Sequence, residues 1–298
     1  MRNGKVECVS LAFILSLLST AIVLGHTLML IVLWKDPFKR FRTAATLFVF
    51  AMVMANFVSG VCAGPLLVCR VIAGCTALNL SNFETLSNAG SFMLYWTTSV
   101  SYLSMLGLSV CQYIGVKIPH KHHELVTKKT LSTSLAIITL ISLLIPILLP
   151  LGVSPAIVEK LQLHIAFQLS TFLLCAVYAA LGREYLLQVK RARENNLNAV
   201  GATCVRVRDR NFTRANLLLL ACVTVLSIPM MIAWHLSVYG ANLFFTEEGK
   251  QISGAITIAI FSLKIALDPF IYCLRLTIYR KAFKRIFKLR HRQIATTT

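Results

Sequence analysis

Charge is what this sequence has least of. Only 14% of its 298 residues are Asp, Glu, Lys or Arg. Soluble domains carry about 25%, so the shortfall excludes an ordinary water-soluble domain. Acid is scarcer still, with 11 Asp and Glu against 30 Lys and Arg. The nine Cys form no CxxC pair and no Cys/His metal spacing; most fall inside apolar runs, where they act as small hydrophobes. His26 stands alone in its run, with no nucleophile–base set near it in sequence, which argues against an intramembrane enzyme. Internal repeats, which many transporter folds carry, are absent. So are long loops able to form a folded extracellular domain.

What is present is apolar. Hydrophobic residues make up 57% of the chain, and a bilayer core takes about 20 consecutive ones per helix. Runs free of charged side chains cover Cys8–Trp34, Thr43–Cys69, Thr85–Val116, Thr130–Val158, Leu161–Gly182 and Ala215–Thr246, and a seventh, Gln251–Leu274, is broken only by Lys264 and Asp268. The first run is too long for a signal-peptide core and lacks a small-residue cleavage site, so it is expected to be retained as a span. The pattern predicts an all-α membrane protein, a seven-transmembrane helix bundle with a short amphipathic eighth helix. It divides into a short N-terminus (1–7), the seven-transmembrane domain (8–274) and an amphipathic helix and tail (275–298).

The cations set the expected orientation. The segments after spans one, three, five and seven hold 24 Lys and Arg, and the opposite side holds five. By the positive-inside rule the N-terminus is extracellular and the tail cytoplasmic, in the plasma membrane. The formal charge of +19 therefore belongs to the cytoplasmic loops and not to a soluble face, which favours topology over nucleic-acid binding. In the tail, Leu276, Tyr279, Phe283, Ile286 and Phe287 recur at spacings of three and four among Arg280, Lys281, Lys284, Arg285 and Lys288. Such a face suits anionic membrane lipid as a partner. Asn79-Leu80-Ser81 is a glycosylation sequon on the expected outer side.

The stretch Lys264-Ile265-Ala266-Leu267-Asp268-Pro269-Phe270-Ile271-Tyr272 carries the chemistry. Lys264 and Asp268, four apart, share a helical face. Alone in a membrane each charge would cost about 2.5–3.5 kcal/mol on insertion scales. Such groups persist when they pair, line a wet cavity or do work. Pro269 removes a backbone donor and lets the helix bend.

Asp268-Pro269-Phe270-Ile271-Tyr272 resembles the Asn/Asp-Pro-x-x-Tyr signature of rhodopsin-like G protein-coupled receptors. Matches elsewhere keep the same order: Gly25-His26 in span one, Ala55-Asn56 with Pro65 in span two, Ser109-Val110-Cys111-Gln112-Tyr113 with Pro119 at the end of span three, and Ser227-Ile228-Pro229 in span six. Tyr279 takes the Phe position of the family's eighth helix. The Asp-Pro variant, the short second outer loop and the lack of a span-five proline are similar to the melanocortin-type subgroup. The departures are specific. Cys111-Gln112 replaces Asp-Arg, Ser227 replaces the toggle Trp, and the second outer loop has no Cys for the usual disulfide.

The resemblance implies roles for named residues. Asn56, Ser101, Lys264, Asp268, Pro269 and Tyr272 would form the polar core and switch. There the Lys264 ammonium would take the place of the family's sodium ion, its shell completed by oxygens of Asn56 and Ser101. The bland alternative is an ion pair that only keeps the helix insertable. Leu94, Tyr95, Thr98, Met230, Met231, Trp234, Ile258 and Ser262 would line an outward pocket. Leu94 stands where amine receptors place an Asp, so no carboxylate is expected there, and a small or lipid-like ligand fits better than a cationic amine. Trp234 and Tyr239 could equally be interfacial belt residues. Cys111, Gln112, Tyr113, Tyr178 and Asp209 would face a heterotrimeric G protein. No cofactor is expected: opsins hold retinal on a span-seven Lys seven residues before the motif proline, whereas Lys264 is five before Pro269 and about 200° round the helix from that position. The implied function is a receptor coupling an extracellular ligand to a G protein, with a non-signalling decoy, scavenger or heteromer partner as the alternative.

Overall fold

The computed structural model describes residues 2–36, 46–76, 83–118, 120–194, 227–229, 231–240, 247–275, 282–283 and 285–286. Every regular element among them is helical: α1 (Arg2–Lys35), α2 (Thr46–Val58), α3 (Gly64–Thr76), α4 (Phe83–Lys117), α5 (His122–Leu125), α6 (Lys128–Leu143), α7 (Pro155–Leu161), α8 (Ser170–Glu194) and α9 (Glu247–Arg275). Wider π-helical turns at Ser59–Ala63 and Gln162–Leu169 join α2 to α3 and α7 to α8, and another covers Leu236–Gly240.

Five of these helical segments are long and apolar enough to cross a membrane: Val9–Lys35, Thr46–Ala73, Thr85–Lys117, Lys128–Leu148 and Pro155–Gln188. The chain is an all-α, multi-pass membrane protein. Its surface says the same as its hydropathy. Phe13, Leu17, Leu24, Ile137, Leu140, Leu144, Ile165, Leu169 and Phe172 are exposed, while His26, Asn56, Gln162, Lys264, Asp268 and a row of Ser and Thr are buried. Apolar side chains over so much of the surface need lipid as their solvent.

Helix α4 is the centre of the bundle, packed against α2, α3, α6 and α8. Three of its buried hydroxyls are spent on its own backbone: Thr97 donates to Met93 O, Thr98 to Leu94 O and Ser109 to Met105 O. These three therefore pass through an apolar setting with their donors met. Helix α1 lies between α3 and α9.

Small residues set the closest approaches. A Cβ on Gly60 would lie 2.8 Å from Ile22 Cγ2, one on Gly64 only 2.1 Å from Ser19 Oγ, and one on Gly107 2.7 Å from the Phe48 ring. Gly60-x-x-x-Gly64 thus presents a flat strip to α1, the membrane route to close helix packing. The strip coincides with a broken ladder. The Gly64 N–H bonds Ser59 O five residues back, and in that register Pro65 would meet Gly60 O but has no N–H to give. The Ser19 hydroxyl donates to Gly60 O at 2.8 Å instead. One residue of α1 both fits the strip and satisfies the carbonyl that the proline leaves over.

The fourth charge-free run, expected over Thr130–Val158, yields a shorter helix. Helix α6 gives way to a 3-10 turn at Pro146–Leu148, because the rings of Pro146 and Pro150 cannot continue an α-helix. The fifth span then starts at Pro155, earlier than the expected Leu161, with the proline in the first helical turn where its missing N–H costs nothing. The expected sixth span lies mostly outside the described residues. Of the expected eighth helix, buried Ala282, core-packed Phe283 and Ile286, and exposed Arg285 are described.

Gly64→Ala should destabilise the bundle by about 1–3 kcal/mol through overpacking, read as a lower thermal midpoint in detergent. Ser19→Gly in the same chain should recover part of that loss, since the two sites touch. Gly182→Ala, which meets nothing within 4 Å, should not lower the midpoint.

Candidate functional site

The polar core is built from three helices. Lys264 and Asp268 lie one turn apart on α9, and Lys264 Nζ is 3.3 Å from Asp268 Oδ2, with the two side chains 6% and 11% exposed. Asn56, from α2, donates its Nδ2 to the same oxygen at 3.2 Å. The ammonium also lies 4.4 Å from the ring centre of Tyr102 on α4, a cation–π contact strengthened by its dry setting. Ion, amide and aromatic face thus come from α9, α2 and α4.

This differs from the expected shell. Asn56 was expected to offer its oxygen to the ammonium; it gives its N–H₂ to the carboxylate instead. The electrostatics explain the choice. Asp268 needs donors and Lys264 needs acceptors, and an amide side chain can serve either, but the π face of Tyr102 already covers the ammonium. Ser101 is buried on α4 beside Tyr102, and the contacts of Lys264 run to Asp268 and Tyr102 rather than to it.

Helix α1 closes the site. His26 is buried, and its Nδ1–H donates to Ile22 O at 2.8 Å. The ring is electrostatically coupled to both Asp268 and Lys264. Next to it, a Cβ on Gly25 would be 3.1 Å from Pro269 Cγ. Gly25 therefore lets α9 lie against α1 at Pro269, and His26 is carried toward the ion pair by the same approach.

Above the polar core is an aromatic cluster. Tyr102 meets Phe167 edge-on at 5.0 Å, Phe167 meets Trp234 at 4.7 Å and Phe261 at 5.6 Å, and Trp234 stacks on Tyr95 at 6.1 Å. Trp234 is buried, so it is a core residue and not part of an interfacial belt, whereas Tyr239 is exposed. Gln162 enters from the π-helical part of the fifth span and donates to Ser99 Oγ at 2.8 Å and Tyr95 O at 3.2 Å. Among the residues expected to line a pocket, Leu94, Ile258 and Ser262 border a cavity of about 10 Å³ shared with Ser19, Ser59 and Gly60. That is room for about one water, not for an organic ligand. Thr98 is buried, Met231 packs against the core, and Met230 lies outside the described residues.

A carboxylate missed by the sequence reading approaches this cluster. Glu159 on α7 stands beside the Trp234 indole and within electrostatic range of Arg70 and Tyr95. The position of Leu94 alone suggested that no acid would be there. Read along the chain, Glu159 resembles a loop acid balancing Lys160; the early start of α7 turns it inward. Arg70, which also donates to Ser91 Oγ at 3.4 Å, opposes its charge.

At the other end, Cys111 and Tyr178 are buried and Gln112 and Tyr113 half-buried. Lys117 Nζ donates to the Tyr113 hydroxyl oxygen at 2.9 Å, and Gln188 Nε2 donates to Val116 O. Asp209, Asn79 and the side chain of Tyr272 lie outside the described residues. Cys62, Cys69, Cys111 and Cys175 are free thiols. Among the described residues no three His, Cys, Asp or Glu side chains converge as a metal site.

Comparison with known proteins adds no relative. No protein-family model matches the chain, and no curated protein matches it.

Asp268→Ala should cost about 3–5 kcal/mol, because Lys264 is then buried without its counter-charge. Lys264→Met combined with Asp268→Leu should be less damaging than Asp268→Ala alone. Thermal unfolding in detergent, with both single variants and the double, checks this.

Proposed function

We propose that the chain is a divergent rhodopsin-like G protein-coupled receptor: a seven-span plasma-membrane protein, N-terminus outside and tail inside. In this reading it binds a small or lipid-like extracellular ligand and passes a helix rearrangement to a G protein. The observation that carries the reading is the Asn56–Asp268–Lys264 contact. It joins the second and last spans through the residues that the motif order singles out, with Pro269 lodged against Gly25 beside it.

The mechanism follows from what touches what. The aromatic cluster lies between the expected ligand side and the polar core, and Tyr102 belongs to both. Its ring meets Phe167 on one side and the Lys264 ammonium on the other. A ligand that prefers one packing of Trp234 and Phe167 changes the surroundings of Tyr102, and with them the balance of the ion pair. The shift can be no larger than the difference in ligand affinity between the two packings. The filled state of the cluster is then the resting one, and a ligand must move side chains to enter. The tethered ammonium supplies the positive charge that a bound cation would otherwise bring.

Gln112 favours a second reading. It stands where the family's arginine meets the G protein, and it carries no charge. A binding protein without conventional signalling, such as a decoy, scavenger or heteromer partner, would keep the polar core and lose only that contact.

Basal signalling in cells with promiscuous G-protein reporters separates the two. Wild-type activity supports the receptor; activity only after Gln112→Arg supports the non-signalling relative. Replacing external sodium by choline should leave basal activity unchanged, and Lys264→Ala should make it sodium-dependent. Tyr102→Leu should shift basal activity by severalfold while Tyr102→Phe, which keeps the ring under the ammonium, should not.

A further inference from the structure

A second polar cluster lies away from this core, at the end of the fifth span where α7 begins. His164, in the π-helical turn, sits against Tyr239 of the Leu236–Gly240 turn and His235 just before it. The two imidazole ring centres are 5.6 Å apart. Tyr239 stacks on His235 at 5.8 Å, and its hydroxyl lies 2.6 Å from His164 Nε2. None of these residues takes part in the core described above.

Hydrogen bonding fixes which nitrogen of His164 is available. Its Nδ1 is 2.8 Å from Gln168 Oε1, and an amide oxygen only accepts, so Nδ1 carries the proton. The Nε2 lone pair then points outward, where it accepts from the Tyr239 hydroxyl. A ligating His is oriented in this way, with its far N–H held by an oxygen one shell out. The ring spacing fits as well. From Zn–N bonds of about 2.0–2.1 Å, two imidazoles on one tetrahedral ion have centres roughly 5–5.5 Å apart.

We propose that His164 and His235 bind one divalent transition-metal ion of the Zn²⁺ class, with the phenol oxygen of Tyr239 as nearest further donor and water completing the shell. Such ions favour imidazole nitrogen, and His164 is exposed enough to receive one. The opposing group is Lys160, whose ammonium is 5.5 Å from the Tyr239 ring centre; its long exposed stem lets it swing aside. The metal would clamp the fifth and sixth spans together at this end. On the receptor reading that clamp hinders movement of the sixth span, but the site itself does not depend on that reading.

Equilibrium Zn²⁺ titration of the purified full chain in lipid nanodiscs, against a chromophoric chelator, tests the site without any signalling readout. One ion should bind. His164→Ala and His235→Ala should each weaken it by about tenfold or more, since even loss of a residue supporting a ligand costs about 10–100-fold. His122→Ala, at the opposite end, should have no effect. His235→Cys loaded with Cd²⁺ should show a thiolate-to-metal absorption band above that of Cd²⁺-loaded wild type, whose own thiols set the background; this guards against misfolded alanine variants. Zn²⁺ binding that is equal in wild type and both alanine variants, or the lack of that band, overturns the proposal. Loss of receptor signalling with the titration intact would count against the receptor reading only.

Discussion

A positive and a negative side chain held one helical turn apart, in surroundings that solvate neither, constrain everything around them. Burying either alone is prohibitive, and burying both is tolerable only if each finds further partners. The bundle supplies them from three directions: the Asn56 amide for the carboxylate, the Tyr102 ring for the ammonium, and His26 close enough to feel both. The last helix cannot rotate or slide far without stripping one of these contacts. The positions of α1, α2 and α4 around α9 are in this sense a consequence of one Lys and one Asp.

The same economy governs the backbone. Pro65 and Pro269 each remove a donor, and each is placed where a neighbouring span absorbs the damage. Ser19 meets the carbonyl left by the first, and Gly25 makes room for the ring of the second. Small residues on α1 thus do two jobs, close packing and repair. Movement is more readily drawn from the opposite side, where the fifth span carries a π-helical stretch and Leu236–Gly240 forms another. π-Helical turns have poorer, wider hydrogen bonding and often mark functional segments.

How much of this was legible in the chain depends on the kind of signal. Lys264 and Asp268 stand out because a membrane makes charge expensive, so two in an apolar run cannot be accidental. Their partner Asn56 followed from motif order, but its role did not: which end of an amide faces a neighbour depends on what else reaches that neighbour, and Tyr102 was not singled out. The strip Gly60-x-x-x-Gly64 went unremarked, although its spacing is a known packing signal. The fourth charge-free run extends past the end of its helix, because absence of charge does not register the break that Pro146 makes. Glu159 reads as a loop acid for the mirror-image reason, since a charge marks a boundary in an apolar chain. His164 and His235 lie on different spans, and no local pattern links residues that only folding brings together.

The meeting of Gly25 with Pro269 joins the first helix of the chain to the last one described. During synthesis α1 must therefore sit in the bilayer with the groove at Gly25 vacant until α9 leaves the ribosome. A chain halted before that point retains its spans but not its keystone. Quality control in the membrane would then have a simple mark of an unfinished molecule: a glycine groove on the first span with no proline seated in it.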